Sequence, residues 1–162
     1  MQSQRLKRIN GFHEYISSQS DGWWHANSSS SYCCNWIGVT CNSSSGRIVK
    51  LQLPNQILGG RLSDSVSYLE QLTTLDLSHN FLSGSLPVSF FHLTHLKELN
   101  LSGNEFNYGL PVSINLPALQ VLDISDNNLR GFLPFGFCVN SNRIRVLNFA
   151  SNYFTGIICW GS

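Results

Sequence analysis

The chain has 162 residues, 10 of them Lys or Arg and 9 Asp or Glu, for a formal net charge of +1. That balance argues against the clustered basic surface a nucleic-acid backbone requires, and 42% hydrophobic with 12% charged residues is not the composition of a disordered chain. The length sets an expectation of one domain, and no apolar run approaches the roughly 20 residues that span a bilayer. Leu, Ser and Asn dominate the composition, a bias that points to internal repetition.

The first 46 residues read as a cap. Met1 to Asn10 (MQSQRLKRIN) is basic but lacks the apolar stretch of a secretory signal. Cys33, Cys34 and Cys41 lie within nine residues, while Cys138 and Cys159 lie far downstream. The block CCNWIGVTC is not a C-x-x-C metal pattern, and no His follows at zinc-ligand spacing. A disulfide is the better reading, and it implies an oxidising compartment, against the direction of the missing leader. Sequons stand at Asn27, Asn42 and Asn100. Trp23, Trp24 and Trp36 could stack on carbohydrate, but covering the first exposed coil is the stronger expectation.

From residue 47 to 162 one pattern recurs about five times, the last copy incomplete. Segments open at Ile48, Leu72, Leu96, Leu119 and Ile144, at spacings of 24, 24, 23 and 25. The second copy places Leu72, Leu75 and Leu77 at positions one, four and six. Its equivalents are Ile48, Leu51, Leu53; Leu96, Leu99, Leu101; Leu119, Leu122, Ile124; and Ile144, Leu147, Phe149. This period and spacing are the leucine-rich-repeat signature. Alternation predicts a short strand with one buried face in each copy. Three residues later come Asn80, Asn104, Asn127 and Asn152, with Gln56 in the first copy. A stacked amide there can satisfy backbone groups that would otherwise cost about 1–3 kcal/mol each when buried.

An apolar residue and a Gly follow: Leu82/Gly84, Phe106/Gly109, Leu129/Gly131 and Phe154/Gly156, the Gly serving a tight turn. Leu86-Pro87, Leu110-Pro111 and Leu133-Pro134 turn the chain to the convex side. There Val66/Leu69, Phe90/Leu93 and Ile114/Leu116 fill the core. The expected fold is an α/β repeat: a right-handed solenoid, a horseshoe segment, with a parallel concave sheet and an N-terminal helical and disulfide cap. Leu147, Phe149, Phe154 and Ile158 of the last coil are expected to form an uncovered edge.

The phrase LxxLxLxxNxLxGxLP, as in Leu72 to Pro87, resembles the plant-specific leucine-rich repeat. CCNWIGVTC and the upstream RLKRINGFHEYISSQSDGWW resemble the N-terminal cap of plant extracellular repeat proteins. SDGWW, GRIVKLQL, INLPALQVLDIS and RIRVLNFASNYFTG resemble, more narrowly, the N-terminal ectodomain of phytosulfokine-receptor-like receptor kinases. The resemblance pairs Cys34 with Cys41 and implies an extracellular or cell-surface glycoprotein. In the family an upstream Cys pairs with the first of the CC pair; this sequence has none. Nor does it show the family's hormone-binding island, membrane span or kinase. The simplest account is a truncated copy, a partial gene model or a short splice form.

Chemical motifs give little else. His92 and His95 form an H-x-x-H pair without a third ligand, so no metal site is expected. No nucleophile elbow, nucleotide loop or kinase motif set is present, so no catalysis and no cofactor are expected. Cys138 reads as a buried thiol. The surface left for binding is the concave sheet, whose outward positions form three ladders. One holds Lys50, Thr74, Glu98, Val121 and Val146. Its neighbour holds Gln52, Asp76, Asn100, Asp123 and Asn148. The third holds Asn55, His79, Gly103, Asp126 and Ser151. Their mixed polarity suits a protein or peptide ligand, or a co-receptor, although ordinary solvated strand surface would look the same. A glycan at Asn100 would obstruct this face. The expected function is a non-catalytic recognition module, a receptor ectodomain fragment. The alternatives are a small secreted inhibitor of a wall-degrading enzyme, as polygalacturonase inhibitors are, or an inactive truncated product.

Overall fold

Alternating apolar residues leave one face to bury, and each expected triplet forms a short strand. The computed structural model describes residues 33–134, 137 and 143–156. Residues 1–32, with Trp23, Trp24 and Asn27, lie outside them, as do Cys138, Ile158, Cys159 and Trp160. In chain order the strands are β1 (Val39–Cys41), β2 (Ile48–Gln52), β3 (Gly59–Arg61), β4 (Thr74–Asp76), β5 (Phe81–Gly84) and β6 (Glu98–Asn100). They continue with β7 (Glu105–Tyr108), β8 (Val121–Asp123), β9 (Asn128–Phe132), β10 (Val146–Asn148) and β11 (Tyr153–Thr155).

The concave sheet has the order β1-β2-β4-β6-β8-β10. Its repeat strands pair in parallel with the expected register: Leu51, Leu75, Leu99, Leu122 and Leu147 lie opposite one another in turn. Leu75, Leu99 and Leu122 are completely buried, and Leu53, Leu77, Leu101 and Ile124 lie behind them in the same core. At the far edge Leu147 is 41% exposed and Val146 47%. Phe149 and Phe154 pack there partly buried, with ring centroids 5.9 Å apart.

The asparagines are the struts between coils. Nδ2 of Asn80 donates to the carbonyls of Leu53, Leu77 and Ser78 at 2.9, 2.9 and 3.0 Å. Its Oδ1 accepts from the backbone N–H of Gln56 and Leu58 at 2.9 and 3.0 Å. Asn104, Asn127 and Asn152 repeat the three donations one coil further on each time, and their Oδ1 atoms accept from the N–H of Leu82, Phe106 and Leu129. Every Asn therefore reaches back to the coil before it. Gln56 has no preceding coil to reach, and its Nε2 donates only to Pro54 and Asn55 carbonyls of its own turn.

In place of a preceding coil stands β1, antiparallel to β2. Cys34 and Cys41 are joined, Cα atoms 5.5 Å apart, as the resemblance implied. Trp36, Val39 and Cys41 pack on the leucine core. The turn between them needs Gly38, whose φ is +76; a Cβ there would lie 2.2 Å from the Gln52 carbonyl oxygen.

Two expectations change on the outer side. The segments after each Asn are strands as well as turns, forming a second parallel sheet of order β11-β9-β7-β5-β3. Leu82, Phe106 and Leu129 point from it into the core while Phe81, Glu105 and Asn128 face out, so the same one-face burial drives it. Gly109 is not the turn glycine of the third coil. The left-handed position that Gly60, Gly84, Gly131 and Gly156 occupy at φ 86, 82, 90 and 110 is held there by Tyr108 at φ 71. On the convex side, Asp64–Tyr68 and Val88–His92 are 3-10 turns. Ser63 caps the first by accepting from the Ser65 N–H at 3.1 Å. Val66, Phe90, Leu93, Ile114 and Leu116 are buried as expected, and Leu69 is partly so.

Candidate functional site

The concave ladders form in register, Lys50–Thr74–Glu98–Val121–Val146 beside Gln52–Asp76–Asn100–Asp123–Asn148. Their members are not equally available. Lys50, Gln52 and Glu98 are exposed. Thr74, expected to face solvent, is 7% exposed. Its hydroxyl donates to Glu98 Oε2 at 3.3 Å, in the next coil, so the two side chains act as one unit.

The second ladder is largely a structural device. Asp76 Oδ1 accepts from the Ser78 N–H and hydroxyl at 3.0 and 2.7 Å. Asn100 does the same with Ser102 at 3.1 and 2.8 Å, and Asp123 with Ser125 at 3.0 and 2.6 Å. These bonds turn the chain out of the strand, and the serines they hold are buried. One terminal atom of each side chain remains for other contacts. Asp123 Oδ2 accepts from Asn148 Nδ2 at 3.0 Å.

The third ladder is the left-handed step before each Asn. Asn55, His79, Asp126 and Ser151 have φ of 57, 54, 52 and 53, and Gly103 has 64. His79 and Asp126 are exposed. The imidazole of His79 leans over Gly103, where a Cβ would meet its Nδ1 at 2.6 Å. Lys97 and Arg145 were missed by the ladder reading. Each directly precedes a concave strand and is exposed, so the mixed-charge face extends past the named ladders. Their position between the first and fourth apolar residues of the repeat was the available signal.

Other chemistry is tied up locally. The Nδ1 atoms of His92 and His95 lie 3.2 and 3.1 Å from the carbonyls of Val88 and Glu70, bonds to backbone. Cys33, Cys34 and Cys41 bring three sulfurs within 4.8 Å, but two of them form the disulfide. No helix among the described residues is long and apolar enough to cross a membrane.

Residues 47–106 and 118–140 match leucine rich repeat families. Phytosulfokine receptor 1 of Arabidopsis thaliana is 45% identical over 93% of this chain, which spans 15% of that receptor. A chain of the BIR3–SERK2 complex from Arabidopsis thaliana superimposes with a TM-score of 0.82 at 33% identity, covering 92% of this chain and 82% of that one. The Arabidopsis receptor kinase HAESA, solved with the peptide hormone IDA and the co-receptor SERK1, gives 0.83 at 31% identity, covering 96% of this chain and 26% of that one. The repeat, the disulfide cap, the Asn struts and these likenesses agree: the chain belongs to the leucine-rich-repeat family of plant receptor kinase ectodomains.

Proposed function

We propose that this chain acts as the cap-proximal part of a receptor ectodomain, outside the cell, and recognises a protein or peptide without catalysis. Residues 1–46 serve as cap and 47–162 as the repeat array. The observation that carries the reading is the concave face: exposed Lys50, His79, Glu98 and Asp126 on a sheet whose Asn struts and turn bonds hold it rigid. Such a surface positions polar contacts. Relatives solved with partners support it, HAESA with a peptide hormone and a co-receptor, and the BIR3–SERK2 pair.

Six strands at about 4.8 Å make a sheet about 24 Å across, the scale of one modest protein contact. On that scale these residues scaffold a co-receptor or a peptide edge and do not by themselves hold the sulfated hormone of the related receptor. Calorimetry with phytosulfokine is expected to show no heat of binding at micromolar concentration, while a co-receptor ectodomain of the SERK type binds weakly and loses affinity on Lys50→Ala. Saturable hormone binding weakened by Glu98→Ala or Asp76→Ala would overturn the scaffold reading.

A further inference from the structure

We infer that Asn100 is an N-glycosylation site on the concave face, and that a glycan there shields the middle of that face and leaves recognition to its Lys50 edge. The inference rests on the extracellular reading given above. Asn100, in the sequon Asn100-Leu101-Ser102, stands in register between Asp76 of β4 and Asp123 of β8. All three residues use Oδ1 in the same way, accepting from the serine two positions on. That bond fixes the side chain and leaves the second terminal atom facing away from the turn. In an Asp this is a carboxylate oxygen; in Asn100 it is Nδ2, the atom that would carry the sugar.

The next amide in the ladder shows the contrast. Asn148, which is not in a sequon, donates through Nδ2 to Asp123 Oδ2 and Ser125 Oγ at 3.0 and 3.2 Å. Asn100 Nδ2 makes no corresponding bond to Asp76 or Ser78. It is not among the buried side-chain atoms left without a partner, a set that holds only Asn107 Oδ1 among the described residues. An unbonded amide nitrogen that is not buried lies in contact with solvent.

The product also fits the fold. Transfer forms a bond between Nδ2 and the first sugar carbon of a lipid-diphosphate oligosaccharide. The diphosphate departs with the electron pair of the broken bond, and the amide gives up one of its two protons. Oδ1 is untouched, so its bonds to Ser102 survive. Ser102 is 7% exposed in the folded chain, which sets the transfer before this coil closes. The first sugar then stands between Asp76 and Asp123, each about 4.8 Å away along the ladder, and beside Glu98. A partner could not reach the middle of the sheet past it. Asn42 provides an internal marker: exposed in the β1–β2 loop, its Oδ1 accepts from the N–H groups of Ser44 and Ser45 at 3.0 Å each, and its Nδ2 is equally open.

The test directs the full chain into the secretory pathway of plant cells. Glycans are then removed from the peptides by an amidase in heavy-oxygen water, which converts each formerly glycosylated Asn to a labelled Asp. Label is expected at Asn42 and Asn100. Absence of label at Asn100 overturns the inference whether or not Asn42 is labelled, and leaves standing the extracellular reading, which the imposed pathway does not test. Asn100→Asp places at this position the residue found at 76 and 123, so the turn bonds and the fold are kept while the sequon is lost. Carbodiimide coupling of glycine ethyl ester should modify Glu98 and Asp123 several-fold faster in Asn100→Asp than in the glycosylated chain, with Glu70 unchanged. Equal rates at Glu98 and Asp123 would overturn the shielding of the middle of the face.

Discussion

Two neighbouring coils, residues 72–95 and 96–118, are alike on one side and unlike on the other. On the concave side Thr74, Leu75 and Asp76 lie opposite Glu98, Leu99 and Asn100, and Asn80 and Asn104 each donate to three carbonyls. On the outer side the second coil has Ser83, whose hydroxyl donates to the Gly60 carbonyl at 3.4 Å, and Gly84 at φ 82. The third has Asn107, with Oδ1 buried and unpartnered, and Tyr108 at φ 71. The second turns back through the 3-10 segment Val88–His92; in the third, residues 111–116 form no helical turn, and Val112 is 92% exposed. The difference follows from where water can help. An Asn strut is buried in the junction of two coils, where nothing can replace it. The outer turn is partly solvated, so a misfit there stays local.

The largest expected effect tests the shared side. Asn80→Ala and Asn104→Ala each remove several bonds and strand buried backbone groups, so each should lower the free energy of unfolding by about 3–5 kcal/mol. Gln56→Ala, confined to its own turn, should lose less than about 1 kcal/mol. Denaturant titration that found the Asn80 and Asn104 variants far apart would show that the two junctions are not equivalent.

The next effect tries to turn the second coil into the third. Arg61 lies across Gly84, and a Cβ at Gly84 would meet its Cγ at 3.0 Å. Phe132 lies across Gly156 in the same way, at 3.1 Å. The residue at the Arg61 position in front of Tyr108 is Ser85, small where its neighbour is large. Gly84→Tyr should therefore cost about 2 kcal/mol, from the left-handed backbone and the displaced Arg61. Adding Arg61→Ser should recover part of this loss in a double-mutant cycle. Strictly additive losses would mean that the two positions do not touch.

Much of this was legible in the sequence because the repeat states its own constraints. The leucine triplets give the concave strands, since a two-residue period has one buried face. The Asn positions give the struts, since a short amide carries two donor hydrogens on one terminal atom and an acceptor on the other. The cysteine pair came from resemblance, and the structure has it. The outer strands were less legible because each spans only a few residues around a glycine, which reads as a turn. Tyr108 was hidden by Gly109, one residue away, which looked like the required glycine. Thr74 reads as an exposed polar residue; it is covered by Glu98 of the next coil, a neighbour that spacing along the chain cannot show. The role of Asp76, Asn100 and Asp123 in turning the chain had a signal that the ladder reading passed over, a serine two residues after each.

A smaller effect is expected in the reverse direction. Tyr108→Gly gives the third coil the glycine that every other coil has. Relief of the left-handed strain, about 1–2 kcal/mol for an L-residue, is offset by the greater freedom of glycine in the unfolded chain. Tyr108 is 62% exposed, so little buried area is lost. The net gain should be no more than about 1 kcal/mol, read as a rise in the denaturation midpoint. A clear loss would show that the tyrosine ring makes a contact worth more than the strain.

The smallest effect isolates Asn107. Its Oδ1 is buried without a partner, and the aligned residue of the second coil is Ser83, which bonds back to the preceding coil. Asn107→Ser should remove the orphan acceptor and allow the shorter hydroxyl to reach the preceding outer strand. An orphan costs about 1–3 kcal/mol, and the truncation gives back some packing, so a gain of about 0.5–1 kcal/mol is expected. Asn107→Ala separates the two contributions, because it removes the orphan without supplying a donor. If Ser gains over Ala, the third coil can accept the second coil's bond, and the two outer halves differ only in side chain. If Ser and Ala both destabilise, Oδ1 is held by a bound water, and the third coil's outer turn is a distinct structure rather than a strained copy of the second.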